Sequence, residues 1–366
     1  MKSKYWLRIG GGLILWTIVI GLFLIYRPLG PGLPPVPATP SPQSPDAPPA
    51  GLQALQASDL SVASVGSEAA AIGEPTPSIT LPPASSEPTG VGFAANGVCG
   101  ETGSMTFLIL GESSPEDNPP HGADAIRLAK VDFDHQQIHI LGLPPTLWVT
   151  TSSLASQGLG GAELTTAYYE SKQLTPGSEQ EKMSAAVAVI AQALEANFGF
   201  TPDHYLDVKE TTFADALNAL GGIDITLPSG LDGRPEGFEY FPAGSQHLNG
   251  SQALDFVRIL QPAGAGSPDE WQRMGRQDLA LQALRQALIS PQNWTKIPAL
   301  VGIFQQDILT DLSVRNILDL ACLMNQPGIQ IQEEAVDPTL SSQGAGGELV
   351  PNTASVAQFI ASRVGK

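Results

Sequence analysis

Residues 205–227, YLDVKETTFADALNALGGIDITL, decide the fold class. Tyr205–Lys209 has the composition of a strand. Phe213–Leu220 carries a helical apolar stripe that stops at Gly221-Gly222, and Ile223–Leu227 alternates apolar and polar residues, so the stretch predicts a β-α-β unit. Working outward, MTFLIL from Met105 predicts a buried strand that enters Gly111 and a polar loop, and Ala125–Val131 with Gln137–Leu143 predicts a hairpin. Lys182–Phe198 is the clearest amphipathic helix, with Met183, Val187, Ile190, Leu194 and Phe198 on one side and Gly199 at its stop. Strands alternating with helices predict an α/β fold: a central mixed β-sheet covered by helices on both faces.

The chemistry concentrates between Phe241 and Gln277. Asn249 is a good helix N-cap, with Ala253, Leu254 and Val257 as an apolar stripe behind it, so Arg258 leaves near the end of a short helix. A second helix is predicted to begin near Pro268, with Met274, Leu281, Leu284 and Leu288 as its stripe and Arg273, Arg276 and Gln277 on the flank at i, i+3, i+4. Two guanidinium forks and an amide aimed at one spot suit an anion that binds bidentately, such as a phosphate or pyrophosphate. The alternative reading is a solvated basic edge.

Ile9–Tyr26 is an uncharged apolar run about long enough to span a bilayer, preceded by Lys2, Lys4 and Arg8. After Arg27 no Lys or Arg occurs until Arg127, which places the N-terminus in the cytoplasm and the rest outside. A cleaved signal peptide is the rival, and Arg27-Pro28-Leu29-Gly30 offers it no small-residue cleavage site. The expected organisation is a cytoplasmic N-terminus (1–8), a transmembrane signal anchor (9–26), a disordered Pro/Ser/Ala-rich linker (27–100) and an extracytoplasmic domain (101–366). Between Pro28 and Pro88 lie 15 of the 32 prolines, and at ~3.1 Å per residue the linker reaches at most on the order of 200 Å. Leu52–Ile72 is its one candidate for a weak helix. A formal charge of −18, with no basic run, excludes nucleic acid as a partner. Cys99 and Cys322 fall in a compartment where a disulfide can persist; they either form a bridge or stay free, Cys322 buried and Cys99 exposed. The histidines show no metal spacing, and His247 reads as a turn residue.

LNGSQALDFVR followed by RMGRQ resembles the LytR-CpsA-Psr family pattern L-D-G-x-x-A-L-x-Y-V-R-x-R, then D-x-x-R-x-x-R-Q, and ALGGIDITLP resembles its A-L-G-G-V-D-V-x-V-P. The resemblance runs from about Met105 to the end of the chain. It implies a membrane-anchored extracytoplasmic protein that moves a glycopolymer from a polyprenyl-pyrophosphate carrier to a cell-wall acceptor, with Mg²⁺ at the pyrophosphate. On the matched positions it implies Arg258, Arg273 and Arg276 as catalytic and, with Gln277, pyrophosphate-binding residues, and Asp124 as a catalytic residue and metal ligand. The chain departs from the pattern at Gly122, Pro145 and Leu260, where the family has arginine, and at Thr146, where it has aspartate. Three lost charged hydrogen bonds at roughly 1.5 to 3 kcal/mol each imply weakened pyrophosphate binding, with Arg127 and Lys130 as candidate replacements or, alternatively, exposed strand residues. The rival function is a catalytically impaired polyprenyl-phosphate-binding or scaffold protein of the envelope; a soluble hydrolase finds no nucleophile-base pair.

Overall fold

The computed structural model describes residues 32–33, 99–113, 122–260, 262–263, 267–268, 270–344 and 348–365. The predicted membrane segment and nearly all of the predicted linker, including Leu52–Ile72, lie outside these residues. Within them no helix is long and apolar enough to cross a membrane.

The central sheet is built first. Strands β1 (Ser104–Glu112), β2 (Ala123–Asp132) and β3 (Gln137–Leu143) form an antiparallel meander. After them come β4 (Trp148–Thr150), β5 (Gly161–Glu163), α1 (Leu164–Leu174), α2 (Glu179–Phe198) and β6 (His204–Lys209). Then follow α3 (Glu210–Leu220), β7 (Ile223–Leu227), β8 (Gly244–Leu248), α4 (Gly250–Arg258), α5 (Glu270–Ile289), α6 (Ile297–Asp307), β9 (Ile308–Thr310), α7 (Val314–Met324), β10 (Gln330–Ala335) and α8 (Thr353–Val364). The sheet order is β9-β6-β1-β2-β3-β10, with β6 parallel to β1 and β10 parallel to β3.

Both faces are covered, as the sequence predicts. Leu108, Leu110, Ile126, Leu128, Leu141 and Leu143 point to one face and pack against Tyr168 of α1, Val187, Ile190 and Leu194 of α2, and Ile360 of α8. The alternate residues Phe107, Ala129, Val131 and Ile138 point the other way and meet Leu323 of α7, with Ile317 and Leu320. Leu33, from the stretch read as linker, is half-buried against the first of these cores.

The β-α-β expectation is corrected in one respect. Strand β7 does not enter the central sheet; it pairs antiparallel with β8 in a separate ribbon. Both edges of β6 are already taken, by β1 and β9, and β7 is apolar on one face only, with Ile223, Ile225 and Leu227 buried and Asp224 and Thr226 exposed. That face closes a second core with Leu248, Phe256, Ile259, Ala280 and Ala283. His247 is therefore a strand residue opposite Asp224 rather than a turn residue. Its Nδ1 lies 2.8 Å from Asp224 and its Nε2 2.9 Å from the Gly221 carbonyl, two acceptors that together favour the imidazolium. Cys99 and Cys322 are bonded as a disulfide, with Cα atoms 5.5 Å apart, which fastens the entry to β1 onto α7.

Candidate functional site

Strands β1, β3 and β6 run in one direction and end at one edge of the sheet, and β2 begins there, so Glu112, Asp124 and the loop Pro144–Leu147 share a rim with the start of α3 at Glu210. Carboxyl ends of parallel strands are where open α/β sheets place their ligands. Around this rim the structure gathers the residues singled out from sequence.

Helix α5 supplies three of them. Its buried stripe is Arg273, Met274, Gln277, Ala280 and Ala283, whereas Leu281, Leu284 and Leu288 are only half-buried. The stripe predicted from the leucines is thus rotated, because α5 packs Met274 and Gln277 against β2 and β3, and Arg273 and Gln277 lie within the seam rather than on its flank. Gln277 is the link to the sheet: its Nε2 donates to the Asp124 carbonyl at 3.3 Å. Arg276 Nη2 donates to the Ile259 carbonyl just past the end of α4, which brings it beside Arg258. The Asn249 cap forms as predicted, in a capping box with Gln252, and starts the helix that Arg258 ends.

Every guanidinium here has an acceptor within the protein. Arg273 Nη2 meets Glu270 Oε2 at 2.6 Å with both residues buried, while Arg273 Nε is buried with no hydrogen-bond partner. Arg258 Nε lies 3.5 Å from Glu210 Oε2 and its fork stands over Phe238 at 5.7 Å. Arg258 and Arg273 are therefore matched in charge by Glu210 and Glu270, while Arg276 meets a backbone carbonyl, and an incoming polyanion competes with two resident carboxylates.

Arg127 and Lys130 turn out otherwise than either sequence reading. Three residues apart on β2, they point to opposite faces. Lys130 Nζ donates to the Gly365 carbonyl at 2.6 Å. Arg127 is 3% exposed and pairs with Asp278 at 2.6 Å, while its Nη2 donates to Gln277 Oε1 at 3.1 Å and to the Met274 carbonyl at 3.3 Å. It is neither an exposed strand residue nor aimed at the rim. The space it fills exists because Gly142 opposite has no side chain; a Cβ there would lie 3.2 Å from Arg127 Nη1. Burial lowers the Arg127 pKa and raises that of Asp278, even against their mutual attraction.

A second polar group lies beneath the same rim on the other face of the sheet. Lys172 bridges Glu112 and Glu179, the latter at 2.6 Å, and the Tyr168 hydroxyl donates to Asp207 Oδ2 at 2.6 Å. Burial pushes the Asp207 carboxyl up to about 7. Sequence reasoning passed over Glu210, Asp278, Glu112 and Asp207. Only Asp207 left a signal: it shares the inward face of its strand with Tyr205, two residues away.

Departures from the family pattern also have places in the structure. The Pro145 carbonyl accepts from Thr165 N at 2.9 Å, and Thr165 Oγ1 accepts from Gly122 N at 3.1 Å. Any side chain at Gly122 would run into the Thr165 carbonyl, so arginine has no room there. Helix α2, the clearest amphipathic helix of the sequence, has Met183, Ala186, Val187, Ile190 and Leu194 packed into the main core. Of two surface cavities, one of about 470 Å³ is lined by Asp224, His247 and Lys296, and one of about 650 Å³ by His139, Glu333 and Arg363; neither includes the arginines of the rim. Among the described residues no three His, Cys, Asp or Glu side chains are disposed to hold a metal ion. Asp124 is half-buried at the rim and offers a carboxylate oxygen of the kind Mg²⁺ takes.

The LytR_cpsA_psr family profile matches residues 78–356. The polyisoprenyl-teichoic acid–peptidoglycan teichoic acid transferase TagV of Bacillus subtilis (strain 168) is 30% identical over 122 residues, covering 32% of this chain and 30% of that protein. The cell wall biosynthesis protein LcpA of Corynebacterium glutamicum is 24% identical over 259 residues, covering 68% of this chain and 48% of that one. The chain thus spans less than half the length of each of these curated relatives. Among solved structures, TagT bound to LI-WTA superposes with a TM-score of 0.53 at 18% identity, over 72% of this chain and 92% of that one. Protein gbs0355 from Streptococcus agalactiae gives a TM-score of 0.56 at 15% identity over 72% and 89%, and both likenesses speak to the fold.

Proposed function

The chain belongs to the LytR-CpsA-Psr family, and from that premise we propose a membrane-anchored, extracytoplasmic protein of cell-wall biogenesis that binds a polyprenyl-pyrophosphate-linked glycan and passes it to a cell-wall acceptor. The observation that carries the reading is the Gln277–Asp124 link, which sets the arginines of α5 against the rim where β2 begins. In the proposed transfer an acceptor hydroxyl attacks the sugar-proximal phosphorus. The new P–O bond forms as the bond to the lipid phosphate breaks, and the hydroxyl proton leaves to solvent. Arg258, Arg273 and Arg276 hold the pyrophosphate and neutralise its charge, while Gln277 keeps their helix in register. Mg²⁺, when bound, supplies further neutralisation of the phosphate oxygens, and Asp124 is the residue that would hold it.

A second reading, a binding or scaffold protein with impaired turnover, is favoured by the carboxylates that already pair Arg258 and Arg273 and by Pro145 and Thr146. Calorimetric titration of the full-length protein in detergent with a short-chain polyprenyl pyrophosphate, with and without Mg²⁺, is run beside a transfer assay. Binding should weaken by at least ~1.5 kcal/mol in Arg273→Ala and by less in Lys130→Ala. Binding indifferent to Arg273→Ala and Arg276→Ala sinks both readings; tight binding with turnover sinks the second.

A further inference from the structure

Residues 228–243 join β7 to β8 by a loop that folds back over the end of α4. Its base is a short antiparallel ribbon in which Leu231 pairs with Phe241 and Asp232 with Tyr240. Leu231 and Phe241 are buried in the second core with Phe256 and Ile259. The tip is a tight helical turn, Arg234–Glu236, closed by Gly237 in the left-handed region, and Phe238 N then returns to the Gly233 carbonyl at 3.0 Å. This reversal brings Phe238, half-buried, against the second core.

The loop is seated on α4 and the residues just past it. Glu236 Oε2 accepts from Leu260 N at 2.6 Å, and Glu239 Oε2 accepts from Gln252 Nε2 at 3.2 Å. Gly233 leaves room for Ile259, since a Cβ there would lie 2.6 Å from Ile259 Cδ1. So held, the Phe238 ring lies under the Arg258 guanidinium, with Cζ 5.7 Å from the ring centroid, while Arg258 Nε faces Glu210 at 3.5 Å. An aromatic ring holds a guanidinium by its face and uses none of its N–H donors, whereas a carboxylate uses them.

We propose that Phe238 is a positioning residue for Arg258: its ring fixes the plane of the fork so that the edge of the fork meets a pyrophosphate arriving at the rim. A planar fork recognises phosphate bidentately only in one orientation, and ordering it before the anion arrives removes part of the side-chain entropy that binding would otherwise cost. The inference rests on the functional reading above and adds to it a residue from outside the elements that build the rim. The other role open to Phe238 is to fill space at the margin of the second core, against which it packs.

The test separates these roles. It uses full-length protein in detergent, farnesyl pyrophosphate as the probe at fixed Mg²⁺, and phenylalanine analogues with one, two and three ring fluorines at position 238. Fluorine withdraws electron density from the ring face and leaves the bulk of the ring nearly unchanged, so it weakens the hold on a cation without opening a cavity. Affinity should fall stepwise, to about 2- to 5-fold below the parent at three fluorines; Phe238→Leu should lose at least as much, and Phe238→Tyr should keep the parent affinity. A loss in Phe238→Leu with a flat fluorine series assigns the ring to space filling and overturns the proposal, as does unchanged affinity throughout. A parent that binds no farnesyl pyrophosphate overturns the functional reading instead. Denaturant melts then judge the contact by itself: the trifluoro ring should lower the midpoint in the parent and not in Arg258→Met, and equal shifts in both, or none in either, overturn it.

Discussion

Arg127 shows how a single side chain can be read from its neighbours and still be misplaced. Alternation along β2 puts it on an inward face, but nothing local reveals that α5, some 150 residues later, brings Asp278 and Gln277 to meet it. Helical spacing and the family pattern coincide at Arg258, Arg273 and Arg276, whereas Glu210 beside Arg258 is set by packing between elements that no local pattern shows. Removing one member of a buried pair strands the other, so Arg127→Met should destabilise the protein by about 3–5 kcal/mol in denaturant melts, with Asp278→Asn beside it recovering part of the loss. A loss under about 1 kcal/mol would mean that the pair is wet and that Gln277 needs no brace. Gly122 marks the opposite case, a departure plain in the sequence whose reason is a carbonyl contact only the fold supplies.

At the scale of elements, strands and helices with one-dimensional signals were read well. Strand β3 has the predicted limits Gln137–Leu143, and α2 ends at the predicted Phe198 with Gly199 as its cap. Partnerships were harder: the pattern of β7 says that one face is buried, not which strand it joins. Strand β6 carries a testable burden of its own. Asp207 is fully buried beneath α1, and its pKa rises to about 7 from a usual value near 4. The folded state therefore holds a proton that the unfolded chain has already released, and stability falls as pH rises from about 4 to about 7, then levels off. Asp207→Asn, which mimics the protonated acid, should match the parent near pH 4 and exceed it above pH 7 by on the order of a few kcal/mol. Thermal melts across that range check it; parallel curves for the two proteins would show that Asp207 titrates normally.

For the molecule as a whole, the Cys99–Cys322 bond closes a loop of 223 residues in sequence separation, which runs from before β1 into α7 and leaves β10 and α8 outside it. A loop that long contributes about 5 kcal/mol in the chain-entropy account. Cys322→Ala should lower the denaturation midpoint accordingly, and denatured, unreduced protein should show no free thiol. Two titratable thiols, or a variant melting with the parent, would remove the bond from the account of stability.

The half-buried Leu33 changes what the long proline-rich stretch does. With residues 9–26 as the proposed membrane segment, the domain holds the chain at two points, Leu33 against the first core and Cys99 through its disulfide. The working height above the bilayer is then set by residues 27–32, about 20 Å of extended chain at most, not by the 200 Å leash that composition alone suggests. Excising residues 40–90 should leave the distance from a fluorophore on the domain to the bilayer unchanged, whereas Leu33→Asp should lengthen it. The reverse pattern would show that Leu33 carries no such restraint.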